Sequence, residues 1–143
     1  MRQIEHSALV AQPPSRLFAL INDIESYPQF IPWCTHARVE SRTERQIIAT
    51  LGVHRGPLRG QFTTRNELEP DRRIFMHLVS GPFRMLEGEW VLSPVAANGC
   101  RVQLKMQFAF RNPLTAMLFE QIFAQGTSAL VDAFVARARE LPA

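Results

Sequence analysis

Leu58-Arg-Gly-Gln-Phe-Thr-Thr-Arg-Asn-Glu-Leu68 decides the fold, because its residues sort cleanly onto two faces. Leu58, Gly60, Phe62, Thr64, Asn66 and Leu68 fall on one side; Arg59, Gln61, Thr63, Arg65 and Glu67 fall on the other. A period of two with one polar face marks a strand in an antiparallel sheet wetted on one side. The neighbouring segments share that period. Ile47, Ala49, Leu51 and Val53 alternate before it, and Ala37, Val39 and Ser41 alternate with Arg38, Glu40 and Arg42. After it, Glu69-Pro-Asp-Arg turns the chain and Arg73 to Ser80 runs back. Gly81-Pro82 turns it again, and Leu86, Gly88, Trp90 and Leu92 share a face against Glu87 and Glu89. Ala97-Asn-Gly99 predicts a hairpin, because Asn-Gly supports positive φ. The last strand has Val102, Leu104, Met106, Phe108 and Phe110 inward.

The period changes at both ends. Gln3 to Ala11 alternates weakly and reads as a strand, broken by Gln12-Pro-Pro-Ser15. Leu17, Leu20, Ile21 and Ile24 then share a helical face, and proline is tolerated in that helix's first turn. Two prolines within Tyr27 to Cys34 make that segment a loop or broken turn. Asn112 is placed to cap a helix beginning at Pro113, with apolar residues at helical spacing to about Glu140. That is about 40 Å of helix at ~1.5 Å per residue. Gly126-Thr-Ser128 interrupts the pattern and predicts a local bend or a close backbone approach. The class is α+β: a curved antiparallel sheet with its helices on one face, the longest at the C-terminus.

The 143 residues, 46% hydrophobic and 20% charged, fit one soluble domain spanning 1–143. No run approaches the ~20 apolar residues of a membrane span, and the first residues show no apolar signal core. The expected location is the cytoplasm, with peripheral contact at the inner membrane as its extension. Cys34 and Cys100 are far apart and form no CxxC pair, so reduced thiols are expected rather than a disulfide or zinc site. Net charge is +3 and Lys105 is the only lysine. Arginine's planar fork suits phosphate, but interspersed acids read as a mixed, solvated surface. Four scattered histidines give no metal-ligand spacing, and no nucleophile elbow or phosphate loop occurs. No catalytic residue and no metal are expected.

One helix is narrow for so wide a sheet. Either the sheet flattens onto it, or the two leave space between them. Glycines at 60 and 88 allow bending, and inward Thr64 and Asn66 need hydrogen-bond partners. An apolar pocket with a few polar groups is the usual small-molecule site. Read from the residues alone, cavity and filled core stand about equal.

Three motifs carry a resemblance: Tyr27-Pro-x-Phe30-x-Pro-Trp-Cys34, Gly81-Pro-Phe-x-x-Leu86-x-Gly88-x-Trp90, and Phe134-Val-x-Arg-Ala138. Together they resemble the coenzyme Q-binding START-like family, which includes bacterial ribosome association toxins and sits in the polyketide cyclase/dehydrase superfamily. The resemblance implies a helix-grip fold (START/Bet v 1-like) enclosing a hydrophobic tunnel. It implies a non-catalytic lipid-binding protein that carries ubiquinone or a related polyprenyl lipid in support of respiration. It equally admits a toxin that binds the large ribosomal subunit and blocks subunit association. Ubiquinone would be a ligand, not a cofactor.

On that reading, Tyr27, Phe30 and Trp33 form a lid or rim over the mouth. Phe62, Leu86, Trp90, Met106, Phe108, Phe119, Phe123 and Val131 form the wall, with Thr64 and Asn66 as its polar groups. The outward arginines at 38, 42, 55, 59 and 65 are the candidate contacts for ribosomal RNA or lipid headgroups.

Overall fold

The computed structural model describes residues 2–55 and 58–140, apart from the side chains of 55, 58, 115, 118, 119 and 121–128. Strand β1 (Arg2–Val10) leads into helix α1 (Pro14–Asn22) and a 3-10 helix (Ile24–Gln29). Six strands follow: β2 (Cys34–Arg42), β3 (Gln46–Arg55), β4 (Leu58–Glu69), β5 (Arg73–Ser80), β6 (Phe83–Val95) and β7 (Gly99–Phe110). Helix α2 (Pro113–Glu140) ends the chain.

The strands form one antiparallel sheet in the order β1-β7-β6-β5-β4-β3-β2. Strands β2 to β7 are a meander, and β1 closes the far side by pairing with β7. The segment from β1 to β2 must therefore cross the inner face, and α1 and the 3-10 helix make that crossing. Helix α1 lies against β6 and β7, and α2 against β1, β7 and α1. This is the expected helix-grip arrangement.

The inward rows are buried as their period requires. Phe62, Thr64, Asn66 and Leu68 on β4, and Leu86, Gly88, Trp90 and Leu92 on β6, are all buried. Register aligns these rows across strands: Ile74, Trp90 and Leu104 sit side by side, as do Met76, Gly88 and Met106. Each large apolar side chain so buried contributes about 1.5–3 kcal/mol.

Three details depart from expectation. A bulge between Phe83 and Met85 disturbs the end of β7, so Ala109 is buried while Phe110 is only half-buried and stacks on Phe83 at 5.2 Å. In the β6–β7 hairpin the left-handed residue is Ala96 (φ 54°), not the Asn-Gly pair. Gly99 is needed there for space, because a Cβ would stand 2.7 Å from the Val95 carbonyl oxygen. Helix α1 stops at Asn22, so Ile24 enters the core from the 3-10 helix, which also carries Pro28. Helix α2 is continuous through Gly126.

Candidate functional site

Helix α2 meets the sheet through one aromatic knot. The Phe134 ring lies edge-on to Tyr27, Phe30 and Trp90, with centroids 5.3, 5.3 and 5.4 Å apart. Arg137 sits over Phe30, its guanidinium carbon 5.2 Å from the ring centroid, and donates to the Gln29 side-chain oxygen at 2.9 Å. The C-terminal part of α2 is thereby fastened to the 3-10 segment.

Beside the knot the interior is open. A cavity of about 70 Å³ lies between the sheet and α2. Strand β3 supplies Ala49 and Leu51 to its wall, β4 supplies Phe62, Thr64 and Asn66, β5 Met76, β6 Leu86 and Trp90, and β7 Met106. Ile24, Tyr27 and Trp33 close one side, and Leu130 and Phe134 form the α2 side. One water needs roughly 10–15 Å³ by this kind of measure. A drug-sized ligand is enclosed by roughly 300–1,000 Å³. The space therefore suits a ring or a short alkyl segment, and a polyprenyl chain would have to extend beyond it.

Glycine 88 helps to keep this space. A Cβ there would come within 2.5 Å of the Met76 methyl, which lies over the bare backbone. The wall is uncharged among the described residues. Thr64 donates its hydroxyl to the Asn66 side-chain oxygen at 2.9 Å. The Tyr27 hydroxyl donates to the Ile21 carbonyl. Burial, aided by Cys34 and Asp23, pushes that phenol far above its usual range, so it stays neutral. Burial also pushes the Cys34 thiol up to about 11.

The structure brings Tyr27, Trp33, Phe62, Thr64, Asn66, Leu86, Trp90 and Met106 around the cavity. It places three other expected residues elsewhere. Phe30 is half-buried between Tyr27, Phe134 and Arg137, outside the cavity wall. Phe108 is buried further along β7, edge-on to Phe110. Val131 is fully buried on a neighbouring stripe of α2 with Val135 and Ala138, while Leu130 and Phe134 face the cavity. The side chains of Phe119 and Phe123 lie outside the described residues. Sequence reasoning passed over Ile24, Met76, Leu130 and Phe134 as wall residues; alternation had marked Ala49 and Leu51 only as inward.

The described outer arginines lie on an exposed, mixed-charge surface. Arg38 pairs with Glu40 at 2.7 Å and holds its carboxyl below the usual range. Arg65 lies 3.9 Å from Glu67, and Arg42 donates to the Asn22 carbonyl at 3.2 Å. Arg59 is exposed, and the Arg55 side chain lies outside the described residues. Among the described residues no cluster of metal-ligating side chains occurs, and no helix is long and apolar enough to cross a membrane.

Residues 10–135 match the family model "polyketide cyclase / dehydrase and lipid transport". The chain belongs to that family. The polyketide cyclase and lipid transport family spans enzymes and binding proteins, so membership fixes the scaffold and not the chemistry. A relative named ribosome association toxin RatA, from Escherichia coli K12, is 38% identical over 99% of this chain and 89% of its own length. A mitochondrial coenzyme Q-binding protein, coq10 of Schizosaccharomyces pombe, is 26% identical over 93% of this chain and 84% of its own. Among solved structures, the ZhuI aromatase/cyclase from Streptomyces superposes with a TM-score of 0.86 at 20% identity, covering 96% of this chain and 93% of its own. That likeness establishes the START-like fold alone.

Proposed function

We propose that the protein binds a quinone or a related polyprenyl lipid, ring first, in the pocket beneath α2. In this reading residues 1–143 act as one non-catalytic lipid-binding domain, a carrier or chaperone supporting respiratory electron transfer, in the cytoplasm and at the inner-membrane surface. One observation carries it: the pocket wall is apolar and aromatic, with a single polar corner at Thr64 and Asn66. Such a wall rewards an apolar guest by about 25 cal/mol for each Å² removed from water and offers nothing to a charged one. The coq10 relative supports the same reading. The isoprenoid tail would extend out of the pocket, which is too small to hold it. Organic extraction of purified protein followed by mass spectrometry, with titration of added quinone, tests it. Co-purified or tightly bound quinone is expected; an empty protein that also ignores added quinone rejects it.

A second reading is favoured by a separate observation, the 38% identity to the ribosome association toxin. On this reading the protein joins the large ribosomal subunit and hinders subunit association. It predicts growth arrest on overexpression and co-sedimentation with the large subunit that weakens with salt. Protein remaining wholly at the top of a low-salt gradient excludes it. The sheet's Arg38, Arg42, Arg59 and Arg65 are exposed, and the surface pairings with Glu40 and Glu67 are too weak to withhold them from a phosphate.

A further inference from the structure

The polar corner of the pocket has a direction. Thr64 and Asn66 lie two residues apart on β4, on the same face, and are 8% and 7% exposed. A threonine hydroxyl brings one donor, and an asparagine side chain brings two donors and one acceptor. The hydroxyl donates to the Asn66 oxygen at 2.9 Å. The flipped amide would leave the hydroxyl proton, the amide oxygen and one amide hydrogen all without partners. The observed orientation leaves only the amide NH2. Among the described residues that nitrogen has no hydrogen-bond partner, and Asn66 lines the cavity.

The other polar groups on the wall do not reverse this balance. The Tyr27 hydroxyl is spent on the Ile21 carbonyl. The Trp33 indole is a donor only. No carboxylate borders the pocket among the described residues. The buried corner therefore offers hydrogens and lacks a strong acceptor.

We propose that Asn66 is a specificity-determining donor, oriented by Thr64, that selects a neutral guest carrying an acceptor oxygen. Resting on the quinone reading above, this means that the oxidised quinone binds in preference to its hydroquinone and to a plain hydrocarbon. A quinone carbonyl accepts from the amide and brings no donor of its own. A hydroquinone brings hydroxyl protons into a corner whose remaining acceptors are lone pairs of the Thr64 and Asn66 oxygens, both already engaged with each other. A hydrocarbon leaves the amide dry and unpaired, which is the costly state for a buried donor.

The test titrates the full chain by calorimetry with three probes: a short-tail benzoquinone, its hydroquinone under reducing buffer, and a benzene bearing the same tail. The wild type is expected to bind the quinone about three- to tenfold more tightly than the benzene, the scale of one neutral hydrogen bond, and more tightly than the hydroquinone. Asn66→Leu should bind quinone and benzene alike. Thr64→Val frees the amide to turn its oxygen toward the guest, so the gap between quinone and hydroquinone should close. Equal wild-type affinity for quinone and benzene overturns the role of Asn66 while leaving the apolar pocket intact as a lipid site. A quinone preference that survives Asn66→Leu overturns it too. Failure to bind any of the three probes overturns both this role and the lipid reading. If Asn66→Leu does not fold, the wild-type ratios and Thr64→Val still decide.

Discussion

The inner face of the sheet has two halves built to one pattern and covered differently. On β6 and β7, Leu92, Val102 and Leu104 are 3% exposed or less, with α1 lying against both strands. On β3 to β5, Ala49, Leu51, Thr64, Asn66 and Met76 border the cavity. Strands β3 and β4 in one half and β6 and β7 in the other alternate with a period of two. What differs is the element laid over them. Beneath α1 an inward residue becomes core; toward the Trp90–Phe134 contact the inward residues of β3 to β5, joined by Leu86, Trp90 and Met106 of β6 and β7, become wall. The division predicts that stability resides mainly in the first half and binding in the second.

The sharpest way to break this division is to truncate one inward side chain in each half. Leu104→Ala removes a fully buried side chain from a filled region. It should cost about 2–5 kcal/mol, because the new void has little means of collapsing. Met76→Ala widens space that already exists, so it forfeits fewer contacts and should cost clearly less. Urea unfolding of both variants checks this. Equal losses would mean that the β3–β5 half is packed as tightly as the other.

The same division explains what the sequence made legible. The strands, their order of appearance and their inward rows followed from alternation in β3, β4, β6 and β7, where polar residues separate apolar ones. The inward face of β5 did not, because Arg73 to Ser80 mixes Ile74, Phe75, Met76, Leu78 and Val79 without alternation. Met76 was therefore missed as a wall residue. The rotation of α2 was also illegible. Leu130 and Val131 are both apolar and adjacent, and only tertiary packing buries Val131 fully and sets Leu130 beside the cavity. The surroundings of Phe30 were illegible for a similar reason. An aromatic ring on a proline-rich segment serves equally as lid or plug, and its contacts with Phe134 and Arg137, over a hundred residues on, cannot be read locally.

A smaller effect on stability, with a larger one on binding, is expected from filling the cavity. Gly88→Val places atoms where the Met76 methyl now lies, 2.5 Å from the built Cβ. That methyl ends a flexible chain, and the free space beside it is the pocket, so Met76 should swing inward. Overpacking of this kind costs about 1–3 kcal/mol. Affinity for any ring-bearing guest should fall by about tenfold or more, since a loss of about 1.4 kcal/mol already gives that factor. Calorimetric titration beside urea unfolding separates the two effects. A variant that folds and binds as the wild type would show that the guest does not enter beside Gly88.

The smallest effect is a pH dependence that uses one thiol in each half. Cys34 begins β2 near the pocket's aromatic side, and Cys100 is the second residue of β7 in the filled half; both are buried. Burial raises both thiols, Cys34 from 9.0 to about 11. A raised thiol is kept protonated by the fold, so its stabilising effect is complete below pH 9, where both folded and unfolded chains hold the proton. Between about pH 9 and 11 the unfolded chain releases its proton first, and stability declines as pH rises. The raised Tyr27 phenol acts in the same direction and prolongs the decline. Cys34→Ala should therefore flatten the fall of the urea midpoint between pH 8.5 and 11 relative to the wild type. Cys100→Ala supplies the matching measurement for the filled half. A slope unchanged by Cys34→Ala would show that the pocket's aromatic side admits enough water to solvate a thiolate, and the contrast between the halves would then be one of access to water as well as of packing.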